Sequence, residues 1–535
     1  MGLTMLSPWL VLGRNITYAS SVIDGDIDTA AKLSMLNAVL ATAKTFVFDR
    51  AYNITAARAD LPETLFTLPV TLQRLEGSPH LPIDMSMMEN SGTPKYMVRQ
   101  EGTAGTAVPL FADPIADADL SPGMDVVRVG AVGIATLALV PGDRVWLYSD
   151  KLFTPGGTVG AEEQGEITTV VSVSATSFTV SPPVQDDYLV NDTASVAKLS
   201  MPQGLVIQGL RGIGPGQFAT DTIGDRLLHI IWSERLVLDA VVQEYMDNGS
   251  YVYSCPGGRN LGWKSIQQHP GSRTANSYGF AMVNACHDFR VEGWHCTGGK
   301  HAIVQTESST ARGGTRRVTI CDGFASGQAN YAIATHSNCE DIGIFSNRIN
   351  GANGGIDAGG RGIKTGDNDV RFLPDANIGV GISVSEVPTD FLSSGDRVYG
   401  GRFALRVNTT STPPLSGVPG QIRVRDFYAE GFSQAGLMFS TALSGAADIF
   451  LRGIETYLAG NAPTGVRQAK SIRIEGDFTD VVLDGAILQA AAGNVSDAIN
   501  TSGITNGRFR NIDYSGHSAP TLAGTDVTSA NVGAF

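Results

Sequence analysis

Through most of the chain the apolar residues come in short runs, not in helical stripes. From residue 204 to about 515 one unit recurs: an apolar–x–apolar strand, a small residue, a further apolar position, then Gly or Asn. It appears at Val206-Ile207-Gln208-Gly209-Leu210, Leu236-Val237-Leu238-Asp239-Ala240-Val241, Leu261-Gly262-Trp263-Lys264-Ser265-Ile266 and Arg290-Val291-Glu292-Gly293-Trp294. Further copies are Ile320-Cys321-Asp322-Gly323-Phe324 and Ile342-Gly343-Ile344-Phe345, with later ones starting near Val398, Ile422, Ile449, Ile472, Val481 and Ile504. The interval, roughly 22–31 residues, is that of a solenoid. Helical repeats need amphipathic stretches of ten or more residues, and Gly interrupts every unit here. The leucine-rich horseshoe pattern is absent. A parallel β-helix remains, in which stacked turns of short strands bury a face that no turn buries alone. About eleven or twelve turns at about 4.8 Å each predict a rod of roughly 55 Å.

Stacking predicts inward columns of like positions. One is Ile207, Leu238, Trp263, Val291 and Cys321; a second is Leu210, Val241, Ile266, Trp294 and Phe324. Trp263 and Trp294 read as core by their alignment with Val and Ile, and otherwise as platforms on which a sugar stacks.

The chain before this repeat differs. Residues 1–22 read as an N-terminal arm, and 23–100 as a capping helix with the first strands. Asp28 or Thr29 is placed to cap a helix whose apolar positions are Leu33, Leu36, Val39 and Leu40. It would cover one open end of the rod, where unpaired strand edges invite association. The strand Thr45–Phe48 follows. Residues 101–203 read as a β-rich region leading into the β-helix at 204–515, with a hairpin turning at Ser174–Ser177. Residues 516–535, small and polar, read as a loose tail or a subunit contact.

Composition narrows the function. Of 535 residues, 63 are Gly and only 7% are aromatic, as many short strands and tight turns require. Only 17% are charged, so the surface is built largely from neutral polar groups, a composition that suits carbohydrate. The net charge is −14, with no basic cluster beyond pairs such as Arg316-Arg317, which sets nucleic acid aside. The five Cys all lie between 255 and 339 without a CxxC pair, and read as small buried hydrophobes. Met1–Leu12 is apolar but short and lacks a basic lead, a poor signal peptide and too short to cross a membrane. Release by lysis or on a particle is the expectation.

Candidate chemistry follows from alternation. If the first column points inward, its successors Gln208, Asp239, Lys264, Glu292 and Asp322 point outward. Glu292 and Asp322 would then lie about 5 Å apart and Asp239 and Glu292 about 10 Å apart. Carboxylate pairs near 5 Å suit a retaining glycosidase and wider ones an inverting enzyme, and crowding raises one partner's pKa. His295 would flank Glu292, with Lys264 on the substrate. The same row reads equally as a solvated stripe of mixed charge. A second stripe aligns Ala302–Glu307 with Ala332–Ser337 and Gly355–Ala358. It sets Glu307, His336 and Asp357 toward one groove with Arg361 and Lys364 just beyond. A uronate lyase needs a base and a neutraliser for the carboxylate, roles open to His336 and Arg361; a backbone-bonded turn His336 is the plain alternative. Metalloprotease, nucleophile-elbow, EF-hand and dinucleotide motifs are absent.

The run Asp24-Gly25-Asp26-Ile27-Asp28-Thr29-Ala30-Ala31, then a helix, then Phe46-Val47-Phe48 and Tyr52-Asn53-Ile54, resembles the start of bacteriophage tailspike and pectate-lyase-like right-handed parallel β-helix proteins. Asp49 and Ala51 stand where that family has Pro and Gly. Leu139, Gly142-Asp143-Arg144-Val145, Gly165-Glu166-Ile167 and Tyr188 look like the early turns of phage tail β-helices. The resemblance implies an all-β homotrimeric spike or fibre in the virion tail, held by other tail or baseplate proteins. It implies a bacterial surface polysaccharide as ligand: capsule, O-antigen or exopolysaccharide. Many such proteins cleave it by hydrolysis or β-elimination and others only bind, so depolymerase and non-catalytic fibre both stand. A free lyase or epimerase is the third reading. No cofactor is expected, though lyases of this fold assemble Ca²⁺ sites from carboxylates on distant turns.

Overall fold

The computed structural model describes residues 16–88, 92–110, 120–152, 163–189, 193–215, 224–266, 277–306, 312–336, 338–372, 379–385, 390–409, 420–441, 447–458, 470–491, 497–524 and 526–534. Nearly all strands outside 103–200 pair in parallel with the strands one turn earlier and one turn later, forming a 37-stranded sheet wound into a coil. Each turn supplies three strands, so the coil has three faces. Face one stacks Arg74–Glu76, Val206–Gln208, Val237–Asp239, Arg259–Leu261, Arg290–Glu292, Thr319–Cys321, Gly343–Phe345 and Lys364–Gly366. Face two stacks Arg211–Ile213, Val242–Glu244, Lys264–Ile266, His295–Thr297, Phe324–Ser326 and Arg348–Asn350. Face three carries longer strands: Tyr96–Glu101, Arg226–Ile231, Gly249–Tyr253, Tyr278–Val283, His301–Thr306, Tyr331–Thr335, Gly354–Ala358, Val380–Ser385 and Phe403–Thr409.

The coil begins well before residue 204. Ile16–Tyr18 pairs with Thr45–Val47, that strand with Arg74–Glu76, and Arg74–Glu76 with Val206–Gln208. The chain leaves the coil after Glu101 and returns at Val206; the excursion is a separate seven-stranded antiparallel sheet with its own apolar core. This long insertion breaks the repeat spacing, which is why the turns before it fall outside the sequence periodicity. Its hairpin, Glu163–Val173 against Ser177–Ser181, turns where the sequence places it. A helix at Gly130–Leu137 completes the insertion.

Helix α1, Ala30–Leu40, is started by Thr29, whose hydroxyl accepts the Lys32 amide at 3.4 Å. It buries Leu33, Leu36 and Leu40. Asn37 accepts the Thr67 amide at 3.1 Å and donates to the Leu65 carbonyl at 2.6 Å, so one side chain satisfies backbone groups of a strand beneath the helix. At the other end, Val527–Ala534 pairs in parallel with the preceding coil strand. The C-terminal stretch read as a loose tail instead extends the sheet, because backbone pairing tolerates small polar side chains.

The observed register corrects both predicted columns. The face-one inward column is Ile207, Leu238, Asn260, Val291, Ile320, Ile344 and Thr365. Trp263 belongs to the corner after face one, and Cys321 points outward beside Glu292. Strand pairing on face two stacks its preceding corner positions as Leu210, Val241, Trp263, Trp294, Gly323, Asn347, Asn368 and Asp396. Ile266 and Phe324 are face-two strand residues. Both indoles are buried, so they are core and not platforms. Below them the corner turns polar. Asn347 donates to the Asn368 Oδ1 at 3.0 Å, Asn368 donates to the Asp396 Oδ1 at 2.8 Å, and each amide also reaches a backbone carbonyl. Thr365 and Ser393 donate to the other Asp396 oxygen, both at 2.6 Å. Every member of this buried ladder has partners, the condition on which a polar core column is tolerated. All five Cys are buried free thiols.

Candidate functional site

Strand alternation on face three sends every second side chain outward, and five consecutive turns use that position for rings. Tyr96 stacks on His229 at 4.4 Å between centroids, His229 lies 5.0 Å from Tyr253, and Tyr253 5.9 Å from Tyr251. Tyr251 is 6.3 Å from Tyr278, which is 5.5 Å from His301. Ala281, Val283, Val304 and Ala334 form a low apolar floor beside these rings. Arg226 lies over Tyr251 at 4.0 Å and donates to the Tyr253 hydroxyl at 2.9 Å.

Further along the same face, register sets Ala334, Asp357, Ser383 and Arg406 on successive turns. The Tyr331 hydroxyl is held above its usual pKa first by burial and then by the Asp357 carboxylate, and Arg406 opposes. The His301 Nδ1–H donates to the Tyr331 carbonyl, 2.6 Å away. The strands 278–283 to 403–408 of this face carry one carboxylate, Asp357. His229, Tyr251, Tyr253 and His301 are buried by one another, so the ring faces left for sugar C–H surfaces are those of the half-buried Tyr96 and Tyr278, with an acid, a phenol and guanidinium groups for hydroxyl and carboxylate groups.

The second predicted stripe keeps its register: Ile303 pairs with Ile333, and Ala334 with Asp357. His336 lies two residues beyond Ala334 at the edge of the face, half-buried. Glu307 lies outside the described residues. Arg361 pairs with Glu340 at 3.6 Å, and Lys364 sits on face one opposite Gly343.

The first stripe is not reproduced as predicted. Its true order on face one is Gln208, Asp239, Leu261, Glu292, Cys321 and Phe345. Leu261 separates Asp239 from Glu292, and Cys321 takes the place assigned to Asp322. Asp322 is a corner residue in the left-handed region (φ 54°). Glu292 is bound by Arg290 at 2.7 Å. Lys264 lies on face two beside His295, depressing the imidazole pKa after burial, the larger cause. The slip arises because the corner between faces one and two holds a variable apolar residue that imitates the strand pattern. The aromatic row escaped the sequence reading, although Tyr251-Val252-Tyr253 carries its alternation.

A second feature lies where the inserted sheet docks on the coil. Arg144, Glu234, Arg235, His287, Asp288 and Arg317 help line a cavity of 160 Å³ there. Beside it Arg316 is buried between Asp186 of the insertion and Glu340 of the coil. Burial and the neighbouring Asp186 push the Glu166 carboxyl up to about 7. The ionic pairs here join two bodies of the chain and are closed upon each other, so we read this region as a structural clamp. Among the described residues no group of three or more His, Cys, Asp or Glu is arranged to hold a metal, and no helix is long and apolar enough to cross a membrane.

Buried titratable groups give the fold a defined acid response. Burial, with Arg226 second, depresses His229 to about 3; burial, with Arg316 second, depresses His287 to about 3; burial takes His301 to about 4. Below the unfolded value near 6.5 the unfolded chain therefore binds three more protons than the fold at these sites, and stability falls with pH. Glu166 acts oppositely between about 4.5 and 7, since the fold keeps a proton the unfolded chain has released. Asp396, also pushed up by burial, acts in the same sense as Glu166. Three imidazoles against Glu166 leave a balance of up to about two protons, which predicts a stability loss of up to about 3 kcal/mol per pH unit as pH falls below 6.5. Urea midpoints measured between pH 4.5 and 7.5 should fall steadily below 6.5; a flat profile would contradict the neutral buried imidazoles.

No family model matches the sequence, and no curated protein does. Solved structures do. The tailspike Gp54 of Acinetobacter baumannii bacteriophage AP22, in complex with A. baumannii capsular saccharide, is similar over 96% of this chain and 79% of its own, at 11% identity and a TM-score of 0.61. The tailspike gp49 of Pseudomonas phage LKA1 is similar over 94% of this chain and 76% of its own, at 14% identity and a TM-score of 0.56. The tailspike gp61 of Pseudomonas phage phi297 gives 92%, 81%, 13% and 0.56. The architecture is thus a right-handed parallel β-helix. More narrowly, its likeness to these tailspike structures extends over more than nine-tenths of the chain.

Proposed function

We propose that this protein is a phage tail protein that binds a bacterial surface polysaccharide along face three, as a homotrimer carried on the virion tail. The observation that carries this reading is the packed ring stack from Tyr96 to His301, with Tyr96 and Tyr278 partly exposed, running along the axis of a coil that has the fold of tailspike structures. A row along the axis suits a chain-like ligand, whereas a small molecule would need a concave pocket. The capsular saccharide on the AP22 tailspike supports a glycan as the ligand class.

Whether the glycan is also cleaved turns on Asp357. Hydrolysis calls for two carboxylates and β-elimination for a base; Asp357 is the carboxylate on the described strands 278–283 to 403–408 of this face. Purified protein should be mixed with capsular and O-antigen polysaccharides, and reducing ends and unsaturated uronate absorbance followed. If products form, Asp357→Asn is expected to lower their rate about 10²–10⁴-fold while leaving binding within a few-fold. Binding without products assigns a receptor-binding spike. Absence of binding to every polysaccharide ends the reading.

A further inference from the structure

At its two ends face three matches cations with carboxylates, Arg99 with Glu101 and Arg473 with Glu475, but between Arg226 and Arg406 its cations are arranged differently from those elsewhere on the coil. On face one, Arg74 is matched by Glu76 and Arg290 by Glu292; on face two, Arg371 is matched by Asp369. Other arginines, Arg259, Arg348 and Arg397, stand exposed with neither carboxylate nor ring against them. In that middle stretch face three holds four cations that have no carboxylate against them among the described residues and lie on aromatic rings. Arg226 is 4.0 Å from the Tyr251 centroid, Lys300 5.4 Å from Tyr278, Arg402 5.1 Å from Phe403 and Arg406 5.7 Å from the same ring. Arg226, Lys300 and Arg406 are half-buried there, and Arg402 is exposed.

A ring beneath a guanidinium or ammonium fixes its position and strips part of its water without neutralising it. The desolvation is therefore already met and the charge remains available to an incoming anion. In a chain of net charge −14, the stretch of this face from Arg226 to Arg406 keeps four ring-seated cations and, on its described strands, one carboxylate, Asp357, a local reversal of sign. Repulsion from the rest of the surface is screened beyond about 8 Å at physiological salt. The spacing is extended as well. Arg226 and Lys300 are about three turns apart, and Lys300 and Arg406 about four, or roughly 14 and 19 Å along the axis. Isolated charges at such intervals fit a polymer that carries a carboxylate in each repeat, not a compact anion.

We infer that the polysaccharide bound by face three is acidic, with sugar rings against the partly exposed Tyr96 and Tyr278 and carboxylates on Arg226, Lys300, Arg402 and Arg406. This inference rests on the binding reading given above. The polar partners of a uronate or a carboxyl-bearing substituent are charge-assisted hydrogen bonds, each worth enough to change affinity about tenfold.

The test is a set of bacterial capsular and O-antigen polysaccharides, neutral and acidic, with every acidic member also presented after chemical reduction of its carboxyl groups to alcohols. Binding of the full-length protein is expected to be confined to acidic members, to weaken as salt rises, and to be lost on carboxyl reduction. Arg402→Gln and Lys300→Gln should each weaken binding about tenfold with unchanged urea midpoints, and Arg259→Gln, on face one, should not weaken it. Binding to a neutral polysaccharide, or equal affinity for a carboxyl-reduced one, overturns the inference and leaves the polysaccharide reading intact. Acid-dependent binding insensitive to Arg402→Gln and Lys300→Gln overturns the assignment of these cations. No binding to any member overturns the polysaccharide reading itself.

Discussion

Arg316→Met is expected to destabilise the protein by about 3–5 kcal/mol and to loosen the inserted sheet from the coil. The guanidinium is fully enclosed, paired with Asp186 across the junction and with Glu340 at 3.1 Å. Asp186 also donates its amide to Glu166 at 3.0 Å, and Tyr188 donates its hydroxyl to Glu166 at 3.4 Å, so the acids share one dry site. Removing the cation leaves two buried carboxylates facing each other, a larger penalty than the pair was worth. The deficit should shrink at lower pH, because Glu166, pushed up to about 7, takes a proton more readily once Arg316 is gone. Urea unfolding at pH 6 and pH 8, with limited proteolysis of residues 103–200 as a second readout, measures both parts. Adding Asp186→Leu and Glu166→Leu should recover much of the loss. A deficit below about 1 kcal/mol would mean that water reaches the cluster and that it behaves as a surface pair.

The second large effect is expected at Trp294. Its indole is 1% exposed and fills the corner between faces one and two. Trp294→Ala should cost about 3–5 kcal/mol, the range for deleting a large buried aromatic. The neighbouring turn explains why the site is so tightly specified. Gly323 follows Trp294 in the corner column, and a methyl group there would overlap the indole ring. Gly323→Ala alone is therefore expected to be destabilising by about 1–3 kcal/mol through overpacking. Trp294→Leu with Gly323→Ala should cost less than the two changes added separately, since each relieves the other's misfit. Unfolding midpoints of the four proteins in this cycle give the coupling, and strict additivity would show that the corner relaxes independently of the turn beside it.

These two sites show how the molecule divides. Trp294 belongs to a structure written locally: each turn repeats a strand, a corner and a strand, and the spacing is visible in the chain. Arg316 belongs to a contact between residues 130 positions apart, Arg316 and Asp186. The Arg316-Arg317 pair is conspicuous in the sequence, yet nothing local distinguishes a buried clamp from two surface charges. The candidate site falls between these cases. Asp357 and the second-stripe register were legible, because an alternating strand of Ile and small residues admits one alignment. The proposed contact of Glu292 with Asp322 failed, because a one-residue slip at the corner exchanges strand and turn positions. Arg361 and Lys364, close to Asp357 in sequence, were sent to Glu340 and to face one by a corner that local pattern did not reveal.

The sequence alone determined the coil: repeat spacing, β alternation and Gly placement leave one way to bury the apolar face, by stacking like turns. It also determined the helix that covers strands at one end, through Thr29 and the Leu33, Leu36, Leu40 spacing. Tertiary structure decided which outward positions meet. The aromatic row, the ring-seated cations and the clamp each draw residues from several turns, and their neighbourhood depends on loop lengths between strands. Strand periodicity is a property of a few adjacent residues, whereas the distance between side chains on successive turns is set only when every intervening corner has closed.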